Sequence, residues 1–121
     1  ISNMFPVCAP CEEALPGILA EEKVNSGETL LVLDPPRKGA DSSVIAAILS
    51  SLPERIIYVS CSPSTLARDA GLLIGSLKQE NGKIVNGHVE SGAYKIENIR
   101  LYDMFAQTSN VETLVVFSKK N

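Results

Sequence analysis

Apolar residues in this chain come in short blocks of two kinds. Residues 29–33 form a near-continuous apolar run that stops at Asp34-Pro35-Pro36, which predicts a strand buried on both faces. Val44, Ile45, Ile48 and Leu49 recur at helical spacing and predict a helix over 42–52. Ser42 or Asp41 can cap it, and Pro53 stops it. The run R-I-I-Y-V-S at 55–60 predicts a second buried strand. Ser62 then serves as N-cap and Pro63 as first residue of a helix whose inner face is Leu66, Leu72, Leu73 and Leu77. Residues 79–92 are polar, with turn signals at Asn81-Gly82, Asn86-Gly87 and Ser91-Gly92. Residues 94–102 and 111–117 predict the last two strands, and 12–20 a helix near the front.

Strand, helix, strand, helix and two further strands predict the closing half of an open α/β sheet. Ligands of such sheets bind at the carboxyl ends of the strands. Asp34 and Cys61 both follow such ends, so one rim would receive a carboxylate and a thiol.

Composition narrows the class. At 121 residues the chain is one domain or part of one, and 45% hydrophobic content suits a packed core. It contains no apolar run near the roughly 18 residues of a membrane-spanning helix, and no membrane association is expected. The first six residues lack the basic start of a signal peptide, so a cytoplasmic protein is expected. The net charge of −3, with basic pairs only at Arg37-Lys38 and Lys119-Lys120, argues against a module that grips nucleic acid by charge alone. Three cysteines, Cys8, Cys11 and Cys61, argue against a secreted disulfide scaffold.

Four places carry candidate chemistry. Cys61 lies between a strand and a helix start, where free amides and the helix dipole favour negative charge on sulfur; a small buried apolar residue is the alternative. Asp34-Pro35-Pro36-Arg37 is a rigid extended stretch that can hold a flat ring against the rim, or simply a strand-ending turn. Glu112 opens an apolar strand, where a carboxylate is costly unless paired or used; an exposed strand end is the alternative. Cys8-Ala9-Pro10-Cys11 has thiol-redox spacing, but too little chain precedes it for a thioredoxin fold. A metal held with Cys61 or His88 would lack the usual second close pair, so no metal is expected, and His88 reads as a solvated loop residue.

Three segments together resemble one family. They are Leu33-Asp34-Pro35-Pro36-Arg37-Lys38-Gly39, then Ile57-Tyr58-Val59-Ser60-Cys61-Ser62-Pro63-Ser64-Thr65-Leu66-Ala67-Arg68-Asp69, then Asp103-Met104-Phe105-Ala106-Gln107-Thr108-Ser109-Asn110-Val111-Glu112-Thr113. In order and spacing they are similar to the S-adenosylmethionine-dependent RNA uracil-5-methyltransferases that modify tRNA or rRNA, over roughly residues 5–118. The resemblance implies an α/β fold: the C-terminal half of a Rossmann-like class I methyltransferase sheet, ending in an antiparallel strand pair. It implies that 1–121 is a partial catalytic domain without the cofactor-binding N-terminal half.

By the same resemblance, Cys61 is the nucleophile and Glu112 the base that removes the C5 proton. Asp34, with Pro35, Pro36 and Arg37, meets the target uracil, and Asp34 also borders the cofactor, S-adenosyl-L-methionine. The RNA substrate would be engaged by the full-length protein. The chain alone would bind cofactor poorly, turn over negligibly and self-associate through uncovered apolar surface. Ser62, Ala106 and Asn110 stand where the family usually has Asn, Pro and His. An acidic residue expected near Pro10 is missing, and the 79–92 stretch is longer than in compact bacterial members. These departures keep open a non-catalytic remnant or paralogue that binds RNA or a partner; a thiol-redox domain is the other alternative.

Overall fold

The computed structural model describes residues 8–22, 29–103 and 111–120. Helix α1 (Cys11–Glu22) leads to strand β1 (Leu30–Leu33), helix α2 (Ser42–Ser51), strand β2 (Arg55–Ser60) and helix α3 (Pro63–Ile74). A hairpin of β3 (Leu77–Glu80) and β4 (Lys83–Asn86), a 3-10 turn at Val89–Ser91, and the long strands β5 (Tyr94–Asp103) and β6 (Val111–Lys119) follow.

The main sheet has the order β1-β2-β6-β5. β1 and β2 are parallel, with α2 as the crossover that parallel neighbours require. β6 runs antiparallel to both β2 and β5, so the last strand in sequence sits inside the sheet, as its apolar run V-E-T-L-V-V-F demands.

Registered neighbours point to the same face of a sheet. Leu31 pairs with Ile56 and Ile56 with Phe117; Leu33 pairs with Tyr58 and Tyr58 with Val115. This face meets Val44, Ile45 and Ile48 of α2 and Leu72 and Leu73 of α3, and together they form the hydrophobic core. The other face carries Leu30, Val32, Ile57, Val59, Leu114 and Val116, none of them in that core. The expectation that β1 is buried on both faces is therefore corrected: Leu30 and Val32 are 55% and 59% exposed. β1 is an edge strand with its core contacts on one side only.

Asp41, not Ser42, caps α2, its Oδ2 accepting from the Ser43 N–H at 3.0 Å. Leu52 ends α2 in a left-handed conformation directly before Pro53. α3 ends at Ile74 with Gly75 left-handed, so Leu77 lies in β3 and not on the helix's inner face. The 79–92 stretch, expected as turns alone, is built around the β3–β4 hairpin. Asn81 and Gly82 take φ of 53° and 77°, the two positive values that a tight hairpin turn needs. Among the described residues no helix is long and apolar enough to cross a membrane.

Candidate active site

The carboxyl end of β2 and the start of β6 meet at one rim. Their last registered pair is Ser60 with Thr113. Cys61 directly follows Ser60 and Glu112 directly precedes Thr113, so both stand at the end of the sheet where this pairing stops. Both are half-buried. Asp34 leaves β1 at the same rim, because β1 runs parallel to β2 and ends opposite Tyr58. Asp34 is exposed. The three chemical candidates thus share one edge of the sheet, although they lie up to 78 positions apart in sequence.

The backbone around Cys61 is braced. The buried Ser60 hydroxyl accepts from Ser62 N–H at 3.0 Å and donates to Ser62 C=O at 2.9 Å, pinning the bend that presents Cys61. Ser62 is the N-cap of α3 by position, but its side chain makes no capping hydrogen bond; Ser62 C=O accepts the first helical bond from Leu66 at 3.0 Å. The Asp34–Arg37 loop closes on itself through Gly39 N–H to Pro36 C=O at 2.8 Å. A cleft of about 220 Å³ lies beside it, lined by Glu12, Val32, Asp34, Pro35, Pro36 and Lys38 among others.

A buried polar cluster behind the rim escaped the sequence reading. Asp69 is fully buried. Its Oδ2 accepts from Ala40 N–H at 2.8 Å and from the Tyr58 hydroxyl, and its Oδ1 accepts from Arg68 Nε and Nη2 at 3.0 and 2.9 Å. Four donors satisfy both oxygens of this buried carboxyl group. Burial first, then the Asp69 hydrogen bond and charge, push the Tyr58 hydroxyl well above the ordinary phenol range. The signal was legible: Asp69 falls on the apolar stripe of α3, three residues after Leu66 and three before Leu72.

Cys8 and Cys11 are free and exposed. Desolvation by nearby atoms, with the Glu12 charge, raises the Cys11 thiol above its ordinary value, opposite to the shift an attacking redox thiol needs. His88 is exposed. No group of three His, Cys, Asp or Glu among the described residues is placed to hold a metal. Ala106 and Asn110, two of the three departures, lie outside the described residues.

The model of the tRNA (uracil-5-)-methyltransferase family matches residues 19–120. An uncharacterised RNA methyltransferase of Thermosynechococcus vestitus is 39% identical over 98% of the chain, and the match covers 22% of that protein. The tRNA (uracil(54)-C(5))-methyltransferase of Schizosaccharomyces pombe is 42% identical over 76% of the chain and 15% of its own length. Among solved structures, the Pyrococcus abyssi tRNA (uracil-54, C5)-methyltransferase in complex with S-adenosyl-L-homocysteine superposes with a TM-score of 0.52 and 30% identity, over 73% of the chain and 18% of the other. The chain spans about a fifth of the length of these relatives. By the family match over most of its length, the chain belongs to the tRNA (uracil-5-)-methyltransferase family.

Proposed function

We propose that this chain is the substrate-side part of the catalytic domain of a longer enzyme that methylates carbon 5 of a uridine in RNA, in tRNA by the precedent of its named relatives. The observation that carries the reading is the register of β1, β2 and β6, which brings the positions next to Leu33, Ser60 and Thr113, namely Asp34, Cys61 and Glu112, to one end of the sheet.

Carbon 5 of uracil is a weak nucleophile. The Cys61 thiolate adds to carbon 6, forming a C–S bond and moving the ring's electron pair toward carbon 5 and the 4-carbonyl. S-adenosyl-L-methionine, when bound, supplies an electrophilic methyl group to carbon 5. Glu112 then takes the C5 proton, and the returning electron pair expels the Cys61 thiolate and restores the ring double bond. Asp34, held by the rigid Pro35-Pro36 backbone and followed by Arg37, binds the edge of the ring. The target base must leave its stack to reach such a rim.

The cleft beside Asp34 fits a whole cofactor poorly. Its volume of about 220 Å³ falls below the roughly 300–1,000 Å³ of ligand pockets. In this reading Asp34 contributes one edge of the cofactor site. Alone, the chain binds S-adenosyl-L-methionine weakly, does not turn over, and associates with itself through the outer sheet face.

The test uses the full-length protein with S-adenosyl-L-methionine and RNA carrying 5-fluorouridine. Fluorine cannot leave as a proton, so a covalent adduct on Cys61 should accumulate and be mapped by mass spectrometry, and Cys61→Ala should abolish it. RNA that binds without forming an adduct would overturn the reaction and favour the non-catalytic RNA-binding alternative, with Ser62, Ala106 and Asn110 as its cause. Reversible closure of Cys8 with Cys11 in a glutathione buffer would favour the redox alternative.

A further inference from the structure

The loop that carries Asp34 and the bend that carries Cys61 are separate in sequence, and the first turns of α3 bond to both. The Thr65 hydroxyl lies 2.9 Å from Arg37 C=O and 3.3 Å from Ser62 C=O, between the two loops. Arg68 Nη2 donates to Lys38 C=O at 3.0 Å and stands 3.4 Å from Ala40 C=O. Asp69 accepts from Ala40 N–H on one side and from Tyr58, on the strand that leads to Cys61, on the other. The loop has also been shaped to accept this grip. Gly39 has a φ of +87°, and a Cβ there would collide with Arg68 Nη2 and stand 2.9 Å from Asp69 Oδ2.

We propose that Thr65, Arg68 and Asp69 are positioning residues that latch the Asp34–Arg37 loop to the Cys61 bend and so fix the target ring relative to the attacking sulfur. The role rests on the proposed methyl transfer. Its physical basis is separation of tasks. Asp34 and Arg37 sit on an exposed turn, and a buried carboxylate with four donors supplies the rigidity. Because Thr65 faces both loops, it sets the distance between them, while Arg68 and Asp69 set the height of residues 38–40 above α3.

The test compares Thr65→Val, Thr65→Ser and Arg68→Lys in the full-length protein. Val keeps the shape of Thr and removes the hydroxyl; Ser keeps the hydroxyl; Lys keeps the charge and removes the planar fork. Backbone amide exchange of 37–40 should accelerate in Thr65→Val and Arg68→Lys, with exchange in β2 unchanged. Adduct formation at saturating 5-fluorouridine RNA should slow by about tenfold to a hundredfold in both, the scale of a small misplacement of reacting groups. Thr65→Ser should restore both readouts. Unchanged exchange at 37–40 overturns the latch. Faster exchange with an unchanged adduct rate overturns the positioning role. A wild-type protein that binds RNA and forms no adduct overturns the reaction itself and this role with it, and the exchange comparison separates that failure from a failure of the latch.

Discussion

On one face of the main sheet Leu33, Ile56, Tyr58, Val115 and Phe117 are buried against α2 and α3. On the other face Leu30 and Val32 are largely exposed and Ile57, Val59, Leu114 and Val116 only half-buried. The strands are apolar on both faces, so side-chain character does not separate them. The difference is the second layer: among the described residues the helices supply core contacts to one face only. Stability is concentrated on the covered face, and the open face holds apolar area whose burial requires another surface.

The comparison is tested most strongly on the covered face. Phe117→Ala should destabilise the chain by about 3–5 kcal/mol, the usual cost of emptying a buried aromatic site, read as a shift of the denaturant midpoint at constant slope. Tyr58→Phe should cost less, about 1.5–3 kcal/mol, because it removes one hydrogen bond to the buried Asp69 carboxylate and little volume. It should also change the alkaline limb. A folded-state Tyr58 raised above its unfolded value of 10.0 contributes stability that is fully present below pH 10 and lost as pH rises further. Tyr94 adds to the same limb, raised by burial and by the Glu54 charge. Tyr58→Phe should therefore make the decline above pH 10 shallower, and a steep decline retained in the variant would remove Tyr58 as its source.

Val32→Lys on the open face should move stability by no more than about 0.5 kcal/mol. It should lower the self-association of the isolated chain in sedimentation. A large loss of stability would mean that this face is packed after all. The smallest effect is at the start of α2. The Ser43 hydroxyl and N–H hold the Asp41 carboxyl below its ordinary value. The cap's contribution is present above the unfolded carboxyl value and lost as pH falls through the depressed one. The Ser43 amide proton shift should report that titration, with a midpoint below about 3.9.

Much of this was legible because local and long-range signals agreed. The run R-I-I-Y-V-S, then Cys61, then Ser-Pro, defines a strand, a bend and a helix start, and all three stand within a residue of expectation. The shared rim of Asp34 and Cys61 followed from topology alone. Reading failed where one residue type served two purposes. Leu77 continues the leucine spacing of α3, yet Gly75 had already ended the helix, and Leu77 packs against the core from β3. Asn81-Gly82 was read as a turn, but the flanking strands are too polar to show alternation, so the hairpin itself was hidden. Asp69 was given no structural role, and only its place on the apolar stripe could have marked it as buried.

The central position of β6 has a consequence for synthesis. β5 leaves the ribosome before β6, yet its hydrogen-bonded neighbour in the main sheet is β6, which also supplies one edge of β2. Until β6 emerges, β2 lacks its antiparallel partner, β5 has no place in the sheet, and the rim at Cys61 lacks Glu112. The nascent chain therefore brings Cys61 and Glu112 to one rim in one late, non-local step, which is slow to nucleate and leaves two strand edges open in the interim. A ribosome that stalls before residue 111 would release a product with Cys61 on the rim and Glu112 missing from it.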